Sequence, residues 1–317
     1  MAISASGRDA RLQEVSRSVG YRALFDERYI SGVTSSFIYV LSLRCADAPG
    51  IVKATAEGIG RVEGNILESD QFSDPITGTF CLRTRFSSPR SATDEILKSI
   101  ADEVHSFYPE IELRPEVELR RVVIMVSTAD HCLVDLLSRK KQSDLAVEVV
   151  AVVSNHETCR EVTESFGINF HHVAVTDGNT SDIETRLLEI VETHDVDFVV
   201  LARYMQILSS ATCSTLAGRV INIHHSFLPS FKGARPYHQA YERGVKIIGA
   251  SAHFVTTELD EGPIIDQDVT RVSHARRPED LVSLGRNLER TVLSHAVALV
   301  AEDRVVMIGR RTVVFDQ

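Results

Sequence analysis

Arg121-Val-Val-Ile-Met-Val-Ser127 is apolar at almost every position, and Ala146–Ser154 and Phe198-Val-Val-Leu-Ala202 read the same way. A strand with one wet face alternates apolar and polar residues, so uninterrupted runs of this kind belong to strands covered on both faces. The intervening segments predict helices at Asp130–Lys140 and, shorter, at Cys159–Phe166. Ser181-Asp-Ile-Glu184 has capping-box spacing and opens a helix with Ile183, Leu187, Leu188, Ile190 and Val191 on one side. Phe170–Val175, Val220–His224 and about Ile248–Thr256 read as further strands. Leu281, Leu284, Leu288 and Val292 mark a long terminal helix, and Val305–Phe315 holds two short strand-like pieces. Alternation of β and α at this spacing predicts a doubly wound, mostly parallel α/β sheet over residues 118–317.

Upstream the pattern differs. Phe37–Leu43 is a strand, stopped by Asp47-Ala-Pro49-Gly50, where proline cannot continue the ladder and glycine permits a turn into a helix. A helix at Ile51–Val62 follows, then strands at Asn65–Phe72 and Thr79–Phe86 around the turn-rich Ser73–Gly78. A helix at Thr93–Phe107 and a strand at Glu110–Glu116 complete a βαββαβ order, the ferredoxin-like arrangement, over residues 37–117. The charged stretch Glu116–Arg121 reads as a linker to the second domain. Residues 1–36 form an N-terminal extension with no sustained periodicity beyond a short helix at Ala10–Val19.

Composition excludes several functions. A net charge of −10 argues against sequence-independent nucleic-acid binding, which needs a clustered positive surface. No apolar run approaches the roughly 18 residues of a membrane span, and the N-terminus lacks the apolar core of a signal peptide. Five cysteines without CxxC spacing read as reduced thiols packed as small hydrophobes, and the expected location is cytoplasmic. His171-His172 has no carboxylate or cysteine at ligand spacing, so no metal site is expected.

The chemistry concentrates in Val220–Gln267. Asn222 and His224 lie two apart on a strand and so point to one face, near a strand end where α/β sheets take ligands. Asp260 follows in the loop Glu258-Leu-Asp-Glu-Gly262. Amide and imidazole donors aimed at one carbonyl oxygen stabilise the charge it gains on attack. A carboxylate beside the imidazole favours its protonated, donating form and can help move a proton. Taken singly, each residue has a plainer reading. Asn222 can satisfy backbone groups, His224 can be a core histidine and Asp260 can hold a turn.

Two resemblances bear on these readings. Asp47-Ala-Pro-Gly50-Ile-Val with the βαββαβ order resembles the ACT domain. That implies homo-oligomerisation and a small amino-acid effector, such as glycine or methionine, near Asp47 and Gly50; a turn or assembly role alone is the alternative. Asn222-Ile-His224-His225-Ser226-Phe-Leu228-Pro229-Ser-Phe-Lys-Gly233, then His253 and Leu-Asp260-Glu-Gly262-Pro263, resembles the folate-dependent formyltransferase family over about residues 119–317. This resemblance implies Asn222, His224 and Asp260 as the catalytic trio acting on the formyl group of 10-formyltetrahydrofolate, with no tightly bound cofactor.

It also implies that Arg203, Met205, Gln206, Leu208, Ser251 and His253 contact the folate, and that Ser127, His225 and Gly233 lie on the acceptor side or just behind the reacting groups. Family members that transfer to a nucleotide or sugar amine carry a Gly-Ser-Asn phosphate loop after the first strand, where this chain has Ser127-Thr-Ala-Asp130-His131-Cys132-Leu133. That turn, Ser154-Asn155-His156 and Pro236-Tyr237-His238-Gln239-Ala240 resemble the family's ACT-bearing hydrolases instead. The implied reaction uses water and gives formate, a supply for purine synthesis, and tetrahydrofolate. Formyl transfer to an amine, or a catalytically silent regulator, are the alternatives. On a regular strand His225 faces away from His224, either packing or excluding a nucleotide acceptor. His253, on a buried strand, reads first as a structural hydrogen-bonding histidine.

Overall fold

The structure, a computed structural model, describes residues 36–176, 180–229 and 236–315. The helix expected at Ala10–Val19 and the site candidate Gly233 lie outside the described residues. In chain order the strands are β1 (Phe37–Ala46), β2 (Asn65–Asp74), β3 (Thr79–Ser88), β4 (Glu110–Pro115), β5 (Arg120–Val126), β6 (Val147–Ser154) and β7 (Phe170–His172). They continue as β8 (Phe198–Leu201), β9 (Val220–His224), β10 (Ile247–Phe254), β11 (Ile264–Arg271), β12 (Val305–Ile308) and β13 (Arg311–Val314). The α-helices are α1 (Ile51–Arg61), α2 (Thr93–Val104), α3 (His131–Gln142), α4 (Arg160–Ser165), α5 (Ser181–Thr193), α6 (Ser210–Thr215), α7 (Pro236–Glu242) and α8 (Pro278–Ala301).

β1–β4 form an antiparallel sheet in the order β2-β3-β1-β4, the arrangement that a βαββαβ order gives. Tyr39, Leu41 and Leu43 alternate along β1 onto Ile51 and Ile59 of α1 and Ile96 and Ile100 of α2. The segment after β4 is a short turn, and Arg120, expected in a linker, already belongs to β5.

The large sheet has the order β11-β10-β9-β8-β5-β6-β7. β9, β8, β5, β6 and β7 run parallel, while β10 and β11 are antiparallel additions at one edge. β5 explains its own apolar run. Val122, Ile124 and Val126 pack with Leu133 and Leu137 of α3 and with Leu288 and Val292 of α8. Val123 and Met125 face the other way, toward Ile183, Leu187 and Ile190 of α5. All five cysteines are free and buried. Among the described residues no helix is long and apolar enough to cross a membrane.

Two local expectations are corrected. α5 begins at Ser181, but its N-cap is Thr180 and Glu184 does not close a capping box. The Glu184 carboxylate instead accepts from Thr180 Oγ1, from the N–H and hydroxyl of Ser209 and from Thr212 Oγ1. A buried carboxylate needs several donors, and the start of α6 supplies them, which fixes the segment leading out of β8. β9 also stops at His224, so the alternation of faces stops before His225.

Candidate active site

β9 is flanked by β8 and β10, so its polar side chains meet groups from several elements at the carboxyl end of the parallel strands. Asn222 pairs with His253 across β10, and His224 with Ser251. The Asn222 Nδ2 amide lies 3.3 Å from His253 Nε2, while His253 Nδ1 donates to the Phe254 carbonyl at 2.9 Å. Asp260 approaches from the loop between β10 and β11. Its Oδ2 is 3.3 Å from His224 Nδ1 and its Oδ1 is 3.6 Å from His253 Nε2. Four side chains thus converge, and His253 joins them while making the hydrogen bonds of a structural histidine.

The loop is held by close backbone packing. A Cβ on Gly262 would lie 1.7 Å from the Phe254 carbonyl oxygen, so only glycine lets the chain return beside β10. Asp260 itself has φ +56°, a left-handed conformation that Asp tolerates better than most residues. The His224 imidazole, and then that of His253, hold the Asp260 carboxyl well below the usual carboxylate range. His224 Nε2 is buried and has no hydrogen-bond partner among the described residues, leaving a polar atom directed away from Asp260.

His225 does not face away. Its ring stacks on His224 at 5.1 Å and 25° and meets Tyr237 at 6.2 Å, because the chain turns after His224. Burial, then the charge of Arg203 and of His224, pushes its pKa down to about 4. The unfolded chain binds this proton near pH 6.5, so stability should decline as pH falls from about 6.5 to about 4 and not further on this account. His225→Asn is expected to flatten that interval in denaturation midpoints measured against pH.

The remaining candidates divide. Met205 is exposed while Leu208 is buried, and Gln206 is half-buried between them. Ser251 is fully buried, and its hydroxyl is taken up by the turn after β9: it donates to the Ser226 carbonyl and accepts from Leu228 N–H and Gln267 Nε2. The Ser127 hydroxyl donates to Asn155 Oδ1 at 2.8 Å and accepts from Met205 N–H at 3.0 Å. Asp47 is exposed and accepts from the Ser73 hydroxyl, and Gly50 caps α1 with φ +101°.

Sequence reasoning missed Glu289. This carboxylate on α8 is 1% exposed and meets His131 Nε2 at 2.8 Å, Tyr237 Oη at 2.7 Å and Arg203 Nε at 3.4 Å. Burial opposes its ionisation, but His131, Arg203 and Tyr237 together outweigh that and lower its pKa. His131, Cys132 and Glu289 bring potential metal-ligand atoms within 4.8 Å of one another. Burial, then Glu289, pushes the Cys132 thiol up and away from the thiolate form, and Arg203 already supplies a cation, so the group reads as an ion-pair cluster.

The formyl transferase family profile matches residues 120–297. The formyltetrahydrofolate deformylase of Corynebacterium sp. (strain P-1) is 46% identical over 278 residues, covering 87% of this chain and 97% of that protein. The chain belongs to the formyltetrahydrofolate deformylase family. The deformylase of Bacillus subtilis (strain 168) is 44% identical, over 87% of this chain and 93% of that one. A crystal structure of the family's member from Burkholderia mallei superposes with a TM-score of 0.85 at 42% identity, covering 88% of this chain and all of that one.

Proposed function

We infer that this chain hydrolyses 10-formyltetrahydrofolate to formate and tetrahydrofolate, and that the side chains meeting at Asp260 perform the reaction. The observation that carries the mechanism is the placement of His224 and His253 against the Asp260 carboxylate, with the Asn222 amide beside His253. With both ring nitrogens protonated, His224 gives Nδ1–H to Asp260 and Nε2–H to the formyl oxygen, and the Asn222 amide supplies a second donor. Charge developing on that oxygen is then met by fixed dipoles. A carboxylate held so far below its usual range is a weak base. Asp260 therefore orients the attacking water and stabilises the imidazolium, while the water proton passes through solvent to the folate nitrogen. That nitrogen leaves as the C–N bond breaks, and the formyl carbon departs as formate.

Exposed Met205 with the neighbouring Gln206 and Leu208 is proposed to line the folate side, on a segment fixed through Ser127 and Glu184, while the Arg203 side chain turns to Glu289 instead. Water as acceptor is supported by the loop after β5, where the side chains of both Ser127 and His131 are engaged inside the protein. Residues 37–117 are read as an ACT module that takes a small amino acid near Asp47 and Gly50, and residues 118–317 as the catalytic domain. Ile66, Leu67 and Phe72 are exposed on the edge strand β2, a surface suited to a second copy of the chain. The reaction requires only the folate and water. Formate release from 10-formyltetrahydrofolate with no amine present is the expected result. No release above background, with or without amino acids added, would remove this reading.

A further inference from the structure

The buried Glu289 carboxylate gathers His131, Tyr237 and Arg203 around it. His131 opens α3, directly beyond the carboxyl end of β5, and Arg203 follows the end of β8. Both sit where parallel α/β sheets present their binding groups. Tyr237 reaches the same carboxylate from α7, and α8 is cut away to admit it: a Cβ on Gly285, one turn before Glu289, would lie 2.1 Å from Tyr237 Cζ. An imidazole, a guanidinium and a phenol therefore converge on one oxyanion, with Oε2 facing His131 and Arg203 and Oε1 accepting from Tyr237. This donor set is the kind that recognises a phosphate or carboxylate ligand.

The cluster also borders the reacting centre. His225 stacks on His224 on one side and meets the Tyr237 ring on the other. The Arg203 carbonyl accepts from Ser127 N–H, which joins the loop after β5 to the same wall. We propose that the Glu289 carboxylate is a built-in occupant of an anion pocket formed by His131, Arg203 and Tyr237, and that by filling it Glu289 closes the acceptor side to phosphorylated amines. The proposal rests on the hydrolase reading for its meaning, but the pocket itself can be tested apart from it. Glu289 acts through its neighbours and is a specificity-determining residue, not a group that touches the formyl carbon.

The test vacates the pocket. Glu289→Ala removes the internal anion, and Glu289→Ser also empties the pocket while keeping a small polar side chain should the alanine variant fail to fold. Inorganic phosphate is the probe, with chloride at matched ionic strength as the control, and thermal midpoint and formate release are both read. The wild type should respond to phosphate no more than to chloride. The variant should be stabilised saturably by phosphate, and phosphate should inhibit its formate release about tenfold more strongly than the wild type's, the scale of one charge-assisted hydrogen bond. Adding Arg203→Met to the variant should abolish the response. Absence of a phosphate-specific response in both Glu289 variants overturns the proposal, whatever their activity. A wild type that releases no formate removes the hydrolase reading instead, and leaves the phosphate result standing as evidence about the pocket.

Discussion

Replacing Asp260 by Asn is expected to lower formate release by about a hundredfold or more, the usual scale for removing a preorganised electrostatic partner of the transition state, in a chain that still folds. Asn is isosteric and, like Asp, tolerates the left-handed backbone that position 260 adopts, so the loop beside β10 keeps its course. What goes is the negative charge that His224 and His253 face. Without it the imidazolium of His224 loses its partner, and the water loses its strongest acceptor. The loss should fall on kcat more than on KM, because neither effect concerns the pterin side. His224→Ala should show a fall of similar size, and unchanged turnover in both variants would remove the mechanism.

The pH profile offers a separate check. A carboxyl with a depressed folded pKa stays ionised until well below its unfolded value, near 4. Its contribution to stability is fully present above that value and is lost only as pH falls through the folded one. Asp260 should therefore impose no acid limb on kcat/KM near pH 4. A limb centred there that vanishes in Asp260→Asn would contradict the assignment of a weakly basic, water-orienting role.

What could be read from sequence followed burial. β5 and β6 announced themselves because both faces are covered and most positions are apolar, and β9 because Asn222 and His224 break an apolar run at alternate positions. β11 escaped because Ile264-Ile-Asp-Gln-Asp-Val-Thr-Arg271 is an edge strand with a mostly wet surface, polar enough to read as loop. α6 and α7 are too short to show a period. The stacking of His225 on His224 depends on where β9 stops, and strand ends leave little trace in side-chain alternation. Glu289 was least legible of all, since a glutamate in a long helix normally means solvent. One signal was present: Gly285, a costly residue in a helix interior, stands one turn before it. A glycine there means that something approaches closely, and a charged residue on the same face shares that neighbour.

Removing the Asp303 carboxylate is expected to cost about 3–5 kcal/mol, the scale for breaking a buried ion pair by deleting one partner. Asp303 follows α8 and is engaged on both oxygens: Oδ2 accepts from Arg114 Nη2 at 2.7 Å and Nε at 3.1 Å, and Oδ1 from Arg120 Nη2 at 2.6 Å and Nε at 3.2 Å. The three side chains are between 11% and 17% exposed, so water cannot replace the lost acceptor cheaply. Burial opposes the charge on Arg120, yet Asp303 and Glu112 more than compensate and raise its pKa. Arg114 belongs to β4 and Arg120 to β5, so one carboxylate ties the last strand of the small sheet and the first strand of the large one to the end of α8. Asp303 has φ +58°, so alanine would add backbone strain to the electrostatic loss. Asp303→Gly separates the two, since glycine accepts this conformation and deletes only the carboxylate. Its denaturation midpoint should drop with the slope unchanged, by most of the loss seen in Asp303→Ala. A glycine variant as stable as wild type would mean that the two guanidinium groups find other partners and that the tie lies elsewhere.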